Sequence, residues 1–313
     1  MQLFRHADAG VPKGAAIAIG NFDGMHLGHR AVIAEARRIA DGKRAPLAIL
    51  TFEPHPRSVF APNAPPFRLT PFRPKTRLIE EAGVDLLFTL RFDRAFAART
   101  AEDFVAGLLV AKLGAGHVVV GQDFTFGKGR AGNPALLRDM AAKLGFGVTV
   151  LVPESDSGGK HASASRIREH LAQGRPRAAA ELLGRDWEIE GRVAQGDKRG
   201  RELGFPTANL PIANYLHPAP GVYAVRAGVT QKDGAVRWYD GVANFGNRPT
   251  FAGQDWRLET NIFDFSGDLY GRHLRVALVD FIRPDMKFGG ADELIAAMHD
   301  DAKRAREMLK RTK

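Results

Sequence analysis

In the first half of the chain, short apolar runs alternate with helical patterns, and that alternation leaves few folds open. The runs are "AAIAIG" (15–20), "PLAILTF" (46–52), "DLLFTL" (85–90), "HVVVG" (117–121) and "FGVTVLV" (146–152). Each is long enough for a strand buried on both faces. Between them, "RAVIAEARRIADG" puts Val32, Ala36 and Ile39 on one helical face and ends at Gly42. "TAEDFVAGLLVAKLG" opens on Thr100 as N-cap with Asp103 at the third helical position, and "PALLRDMAAKLG" runs from Pro134 to a stop at Gly145. Strand and helix in regular succession predict a parallel sheet covered by helices.

The pattern changes near residue 184. "EIEGRV" (188–193), "GVYAVRAGV" (221–229), "VRWYDGVANFG" (236–246), "RLETNIFDF" (257–265) and "HLRVALVDFI" (273–282) alternate wholly or partly with period two, and Gly, Pro, Asn and Asp separate them. They predict an antiparallel sheet or small barrel. A last amphipathic helix carries Ile295, Met298, Ala302, Ala305 and Leu309 on one face, acids early and bases late. Two domains follow, 1–184 and 185–313, joined by "AQGRPRAAAELLGRDW" with a short helix.

Composition narrows the class. The 313 residues include no cysteine, which excludes disulfides and thiolate chemistry and fits a reducing compartment. The start shows no signal-peptide core, and no uncharged apolar run approaches the ~18 residues a membrane span needs. The expectation is a cytoplasmic protein with no membrane partner. The net charge of +10 is scattered, dense only in "KRAREMLKRTK", which reads as solvated surface and not as a nucleic-acid face. A homo-oligomer stays open.

Ligands of parallel α/β sheets bind beyond the carboxyl ends of the strands. The unusual residues of the first half fall there: the turn Gly20–His29, "EPHP" (53–56), "GQDFTFGKGRAGN" (121–133) and "HASASRIR" (161–168). The turn "GNFDGMHLGH" lacks the G-x-G-x-x-G spacing, and "GQDFTFGKG" is not a P-loop. It has the physics of an anion site all the same. Glycines let backbone approach a phosphate, a following helix offers free N–H groups, and His26 and His29 can donate to oxygens. A metal pair or a packed turn would use the same two residues, although the His-Glu-x-x-His spacing is missing. Ser163, Ser165, Arg166 and Arg168 form a second cluster able to hold phosphate.

In the second half, "GDKRGRELGFPTANL" (196–210) is flexible and basic, then stiffens at Pro206. Thr207 and Asn209 point the same way in an extended chain and offer the hard oxygens magnesium prefers, as a plain polar hairpin would too. Glu259, on the strand face opposite Leu258 and Ile262, is either a solvent-facing acid or a general base.

"GNFDGMHLGH" resembles the G-x-F-D-G-x-H-x-G-H motif of nucleotidyltransferases. "TFEPHP", "VGQDFTFGKGR" and "SRIR", in that order, resemble the bifunctional riboflavin kinase/FMN adenylyltransferases. "GDKRGRELGFPTANL", "GVYAV", "GVANFGNRPTF", "ETNIFDFSGDLYG" and "FIRPDMKF" resemble the riboflavin kinase barrel across nearly the whole second domain. The resemblance implies a Rossmann-like nucleotidyltransferase domain followed by an antiparallel β-barrel with a terminal helix. It implies that His26 and His29 hold the ATP phosphates and stabilise the leaving pyrophosphate, with Gly20, Phe22, Asp23, Gly24 and Gly28 shaping the turn. Ser163, Ser165, Arg166 and Arg168 would lie along the ATP phosphates, and His55, Asp123 and Phe124 would line the FMN side. In the kinase, Gly196, Lys198, Gly204, Thr207 and Asn209 would bind ATP, Thr207 and Asn209 would hold Mg2+, and Glu259 would activate the riboflavin 5′-hydroxyl. Ala164 departs from the usual Ser-Ser-Thr before Arg-Ile-Arg, and Asn261 stands where many relatives have His. The partners implied are small molecules: ATP, riboflavin, FMN and FAD. The alternatives are an adenylyltransferase for another phosphorylated acceptor and a non-catalytic flavin- or RNA-binding regulator.

Overall fold

Apolar runs without alternation become strands covered on both sides. A computed structural model of the chain describes residues 1–5, 11–152, 161–195, 205–212, 214–231, 233–250 and 253–312. The first sheet has six parallel strands: Gln2–Phe4 (β1), Ala16–Ile19 (β2), Leu47–Glu53 (β3), Leu86–Arg91 (β4), His117–Gly121 (β5) and Gly147–Leu151 (β6). Their order is β1-β4-β3-β2-β5-β6. Ile17, Leu50, Phe88 and Val118 face one apolar cluster, and Ala16, Ile49, Leu87 and Val119 face the other. β1 was not among the expected strands. It has three residues, is mostly exposed, and is held by pairing with β4.

The helices of this unit are Leu27–Lys43 (α1), Pro56–Phe60 (α2), Phe72–Glu81 (α3), Arg94–Ala97 (α4) and Pro134–Leu144 (α5). α1 passes through Gly42 and is capped by Arg44 in the left-handed region. α5 ends as expected, with Gly145 left-handed at φ 79°. Thr100 accepts from the Asp103 amide at 3.0 Å, the expected cap, but the helix Asp103–Lys112 is wound as a π-helix. Its run "FVAGLLVA" has no polar face to impose a 3.6-residue stripe.

Chain contacts divide the protein into residues 1–65 with 70–163, and residues 66–69 with 164–313. The second unit begins with Ala164–Ala172 (α6) and Pro176–Leu183 (α7). Residues 66–69 are tied into it: the Trp187 indole donates to the Leu69 carbonyl at 2.9 Å, and the Leu216 amide to that of Arg68 at 2.8 Å. Its antiparallel strands are Trp187–Arg192 (β7), Ala208–Pro211 (β8), Gly221–Thr230 (β9), Val236–Thr250 (β10), Gly253–Ile262 (β11) and His273–Pro284 (β12). The order is β7-β12-β9-β10-β11-β8, and the Ala194 amide donates to the Asn209 carbonyl at 2.9 Å, which nearly closes a barrel.

Ala291–Lys310 (α8) covers one barrel face. Ala302, Ala305 and Leu309 pack on Val222, Ala224, Val242, Val279 and Ile282. Asp301, buried on the same helix, takes both ends of the Arg283 guanidinium at 2.9 and 2.7 Å. Leu309 is fully buried, so Leu309→Ala should cost about 2–5 kcal/mol of barrel stability, read as a lowered urea midpoint.

Candidate functional site

The strand order reverses at β2, whose neighbours are β3 and β5, so a ligand crevice is expected at its carboxyl end. The Gly20–His29 turn occupies that place. Phe22 and Met25 adopt left-handed φ of 49° and 46°, a strained conformation for side chains of this size. The strain is held from one side by Thr70, whose hydroxyl accepts from the Gly24 amide at 2.7 Å while its amide donates to the buried Asp23 carboxylate at 2.9 Å. Asp23 therefore shapes the turn from inside.

His26 is the N-cap residue of α1 and contributes no side-chain cap, and the first turn of α1 holds no acid. The positive end of a 17-residue helix is thus kept beside the imidazoles. His26 and His29 stack at 3.7 Å between ring centroids, and Phe22 lies 5.1 Å from His29. A Cβ at Gly28 would lie 3.2 Å from the His26 ring and 3.3 Å from the Ala162 carbonyl, so these segments meet closely over the glycine. Ser163 closes the first unit, next to Ala162 in the chain. Ser165, Arg166 and Arg168 lie on α6 in the second unit, where the Arg168 guanidinium donates to the Phe67 carbonyl at 2.8 Å.

A cavity of about 980 Å³ lies in the first unit, and Gly20 and Asn21 of the turn form part of its wall. Asp123 and Phe124 line it as well, whereas His55 caps α2, accepting from the Arg57 amide at 3.1 Å, and the next residue, Pro56, lines the cavity. Sequence reasoning missed most of the wall. Phe52, Phe60, Phe92, Phe96, Phe104 and Phe126 join Phe124 there. Phe52 and Phe96 lie 5.4 Å apart, and Phe124 and Phe126 stack at 5.3 Å. Arg94, Arg99, Lys128 and Arg130 supply positive charge to the same wall. A flat aromatic ligand with an anionic tail suits such a lining.

In the second unit, register brings two of the predicted residues, Asn209 and Glu259, side by side. Glu259 on β11 faces Asn209 on β8 and Asn244 on β10. Paired residues share a sheet face, and Asn244 is two residues from Val242, so this polar row lies on the face that α8 covers. Asn209 is buried and donates weakly to the Thr207 carbonyl at 3.4 Å. In the amide orientation its surroundings require, Asn244 donates to Asp285 Oδ1 at 3.0 Å and to the Gly221 carbonyl at 3.1 Å. Burial pushes the Asp285 carboxyl above its ordinary range, against the opposing pull of Arg283 and that hydrogen bond. Asn261 donates to the Pro206 carbonyl at 2.9 Å and so anchors the extended "FPTAN" stretch. Gly196, Lys198 and Gly204 lie outside the described residues.

Among the described residues no group of three or more His, Asp or Glu is arranged to hold a metal. Thr207 and Asn209 each carry a neutral side-chain oxygen, the donor type that suits a magnesium ion keeping waters and substrate phosphates as its other ligands. At the first site, Thr70→Val removes an acceptor from a buried amide and should cost about 1–3 kcal/mol, seen as earlier urea unfolding of the first unit.

Comparison with known proteins finds two family models in succession along the chain. A family model described as FAD synthetase matches residues 8–166, and one described as riboflavin kinase matches residues 183–309. The chain is 41% identical over 302 residues to the bifunctional riboflavin kinase/FMN adenylyltransferase of Escherichia coli K12, covering 96% of this chain and 95% of the relative. It is 38% identical over 297 residues to the Bacillus subtilis protein of the same name, covering 93% and 91%. A crystal structure described as a macrolide-efflux protein from Streptococcus pneumoniae superposes with a TM-score of 0.85 at 30% identity, covering 97% of this chain and 98% of that one.

Proposed function

The chain belongs to the family of bifunctional riboflavin kinase/FMN adenylyltransferases, and from that premise we propose that its barrel phosphorylates riboflavin with ATP and its parallel-sheet unit joins FMN to AMP from a second ATP. The observation that carries the reading is the contrast between the two sites. One holds stacked imidazoles at a helix N-terminus beside a phenylalanine-lined cavity. The other holds a carboxylate across from an amide on a β-ladder.

The contrast follows the needs of two nucleophiles. A phosphate monoester loses its second proton near pH 6, so FMN arrives already ionised and no base is required. Its phosphate oxygen attacks the α-phosphorus of ATP, and the bond to the β,γ-pyrophosphate breaks. His26 and His29 donate to the departing pyrophosphate while the N-terminus of α1 supplies further positive potential. The phenylalanines hold the flavin ring and align the two polyanions. The ATP-phosphate role of Ser163, Ser165, Arg166 and Arg168 rests on their motif alone.

Riboflavin brings a neutral alcohol. Glu259 accepts the proton of its 5′-hydroxyl as that oxygen attacks the γ-phosphorus of ATP and ADP leaves. Thr207 and Asn209 would hold magnesium, which when bound offsets charge on the phosphate oxygens. A cytoplasmic location belongs to the same proposal and rests on a chain without cysteine. Among the described residues no helix is long and apolar enough to cross a membrane.

Purified protein incubated with riboflavin, ATP and magnesium should yield FMN and then FAD on chromatography. His29→Ala should stop at FMN, with adenylylation down about 10²–10³-fold. Glu259→Ala should fail from riboflavin, down about 10²–10⁴-fold, yet convert supplied FMN. Chelation of magnesium should halt both steps. Folded variants that each lost both activities would refute the division of labour.

A further inference from the structure

Lys75 is the least expected side chain in the first unit. A helix lysine ordinarily extends into water, but the Lys75 side chain is only 2% exposed and shares the inward face of α3 with Leu78 and Ile79. Burying an ammonium is costly unless its partners are well placed. Its Nζ lies 3.3 Å from the Thr51 hydroxyl, 3.5 Å from the Glu53 carboxylate and 3.5 Å from the Asn21 carbonyl. Thr51, fully buried, donates to the same Asn21 carbonyl at 3.2 Å.

These partners sit at two places in the chain. Asn21 precedes left-handed Phe22 in the turn that ends in His26 and His29. Thr51 and Glu53 end β3, immediately before "PHP". One buried charge therefore joins the turn after β2 to the end of β3. Thr70 and Asp23 hold the turn beyond Phe22, and Lys75 with Thr51 holds it before Phe22. The strained residue is gripped on both sides.

We infer that Lys75 is a positioning residue for adenylyl transfer, fixing the Asn21 carbonyl so that the strained turn presents its histidines at the reacting phosphates. The inference rests on the adenylyltransferase reading of this site. Misplacement of reacting groups by about 1 Å can cost about 100-fold in rate.

The test is steady-state kinetics of full-length Lys75→Met. Turnover of FMN to FAD should fall about 100-fold while KM for FMN and ATP stays within about threefold, the signature of a lost alignment. Riboflavin phosphorylation on the barrel should be unchanged, and thermal unfolding should remain cooperative. Turnover within about threefold of wild type overturns the inference, as does a raised KM with turnover kept. Should Lys75→Met fail to fold, Thr51→Val decides. It keeps the shape and removes the hydroxyl on the same carbonyl, and turnover should fall about tenfold at unchanged KM. Unchanged turnover in that variant overturns the inference. Wild-type protein that makes no FAD from FMN would instead overturn the functional reading and this inference with it.

Discussion

All six strands of the first sheet run in one direction, so every connection that leaves a carboxyl end must leave from the same edge. That constraint gathers residues from four distant parts of the chain without any of them being neighbours in sequence. It also makes β2 special. Because the order turns there, its exit turn is flanked by crossovers that lead away on either side, and the crevice cannot be filled by a helix. A Gly-rich turn at that point has room for a ligand, and its glycines let backbone and imidazole come close together.

Much of this was legible because the signals were local. Five apolar runs correspond to five of the six parallel strands, and the spacing of His26 and His29 marks the turn. What escaped was non-local. The cavity wall draws phenylalanines from positions 52 to 126, each an ordinary core residue by itself and meaningful only once the sheet has brought them into ring contact. Lys75 escaped for the opposite reason. A lysine on an amphipathic helix reads as surface, and the groups that face this one, at the end of β3 and at Asn21, come from elsewhere in the chain. β1 escaped because three residues carry no period, and its pairing is specified by the partner strand.

The barrel shows a third case. Alternation in "RLETNIFDF" predicts that Glu259 sits on the face opposite Leu258, and Leu258 is fully buried while Glu259 is partly open. Alternation cannot say what lies across the ladder. Register supplies Asn209 on one side and Asn244 on the other, and so converts an exposed-looking acid into the centre of a polar row. The same geometry accounts for Asn261. Its amide needs to reach only the Pro206 carbonyl, which a short side chain does from the strand next to "FPTAN".

The two sites could not exchange their residues. On the proposed reading, a carboxylate among the histidines at the start of α1 would face two polyanions, and like charges about 4 Å apart repel by about 1–4 kcal/mol between bulk water and a protein surface. A histidine in place of Glu259 would take the alcohol's proton only by becoming a cation itself, whereas a carboxylate becomes neutral. Each nucleophile therefore selects against the chemistry that serves the other, and the chain answers with two separate folds. The parallel sheet leads into a helix N-terminus. The antiparallel ladder sets Asn209, Glu259 and Asn244 side by side.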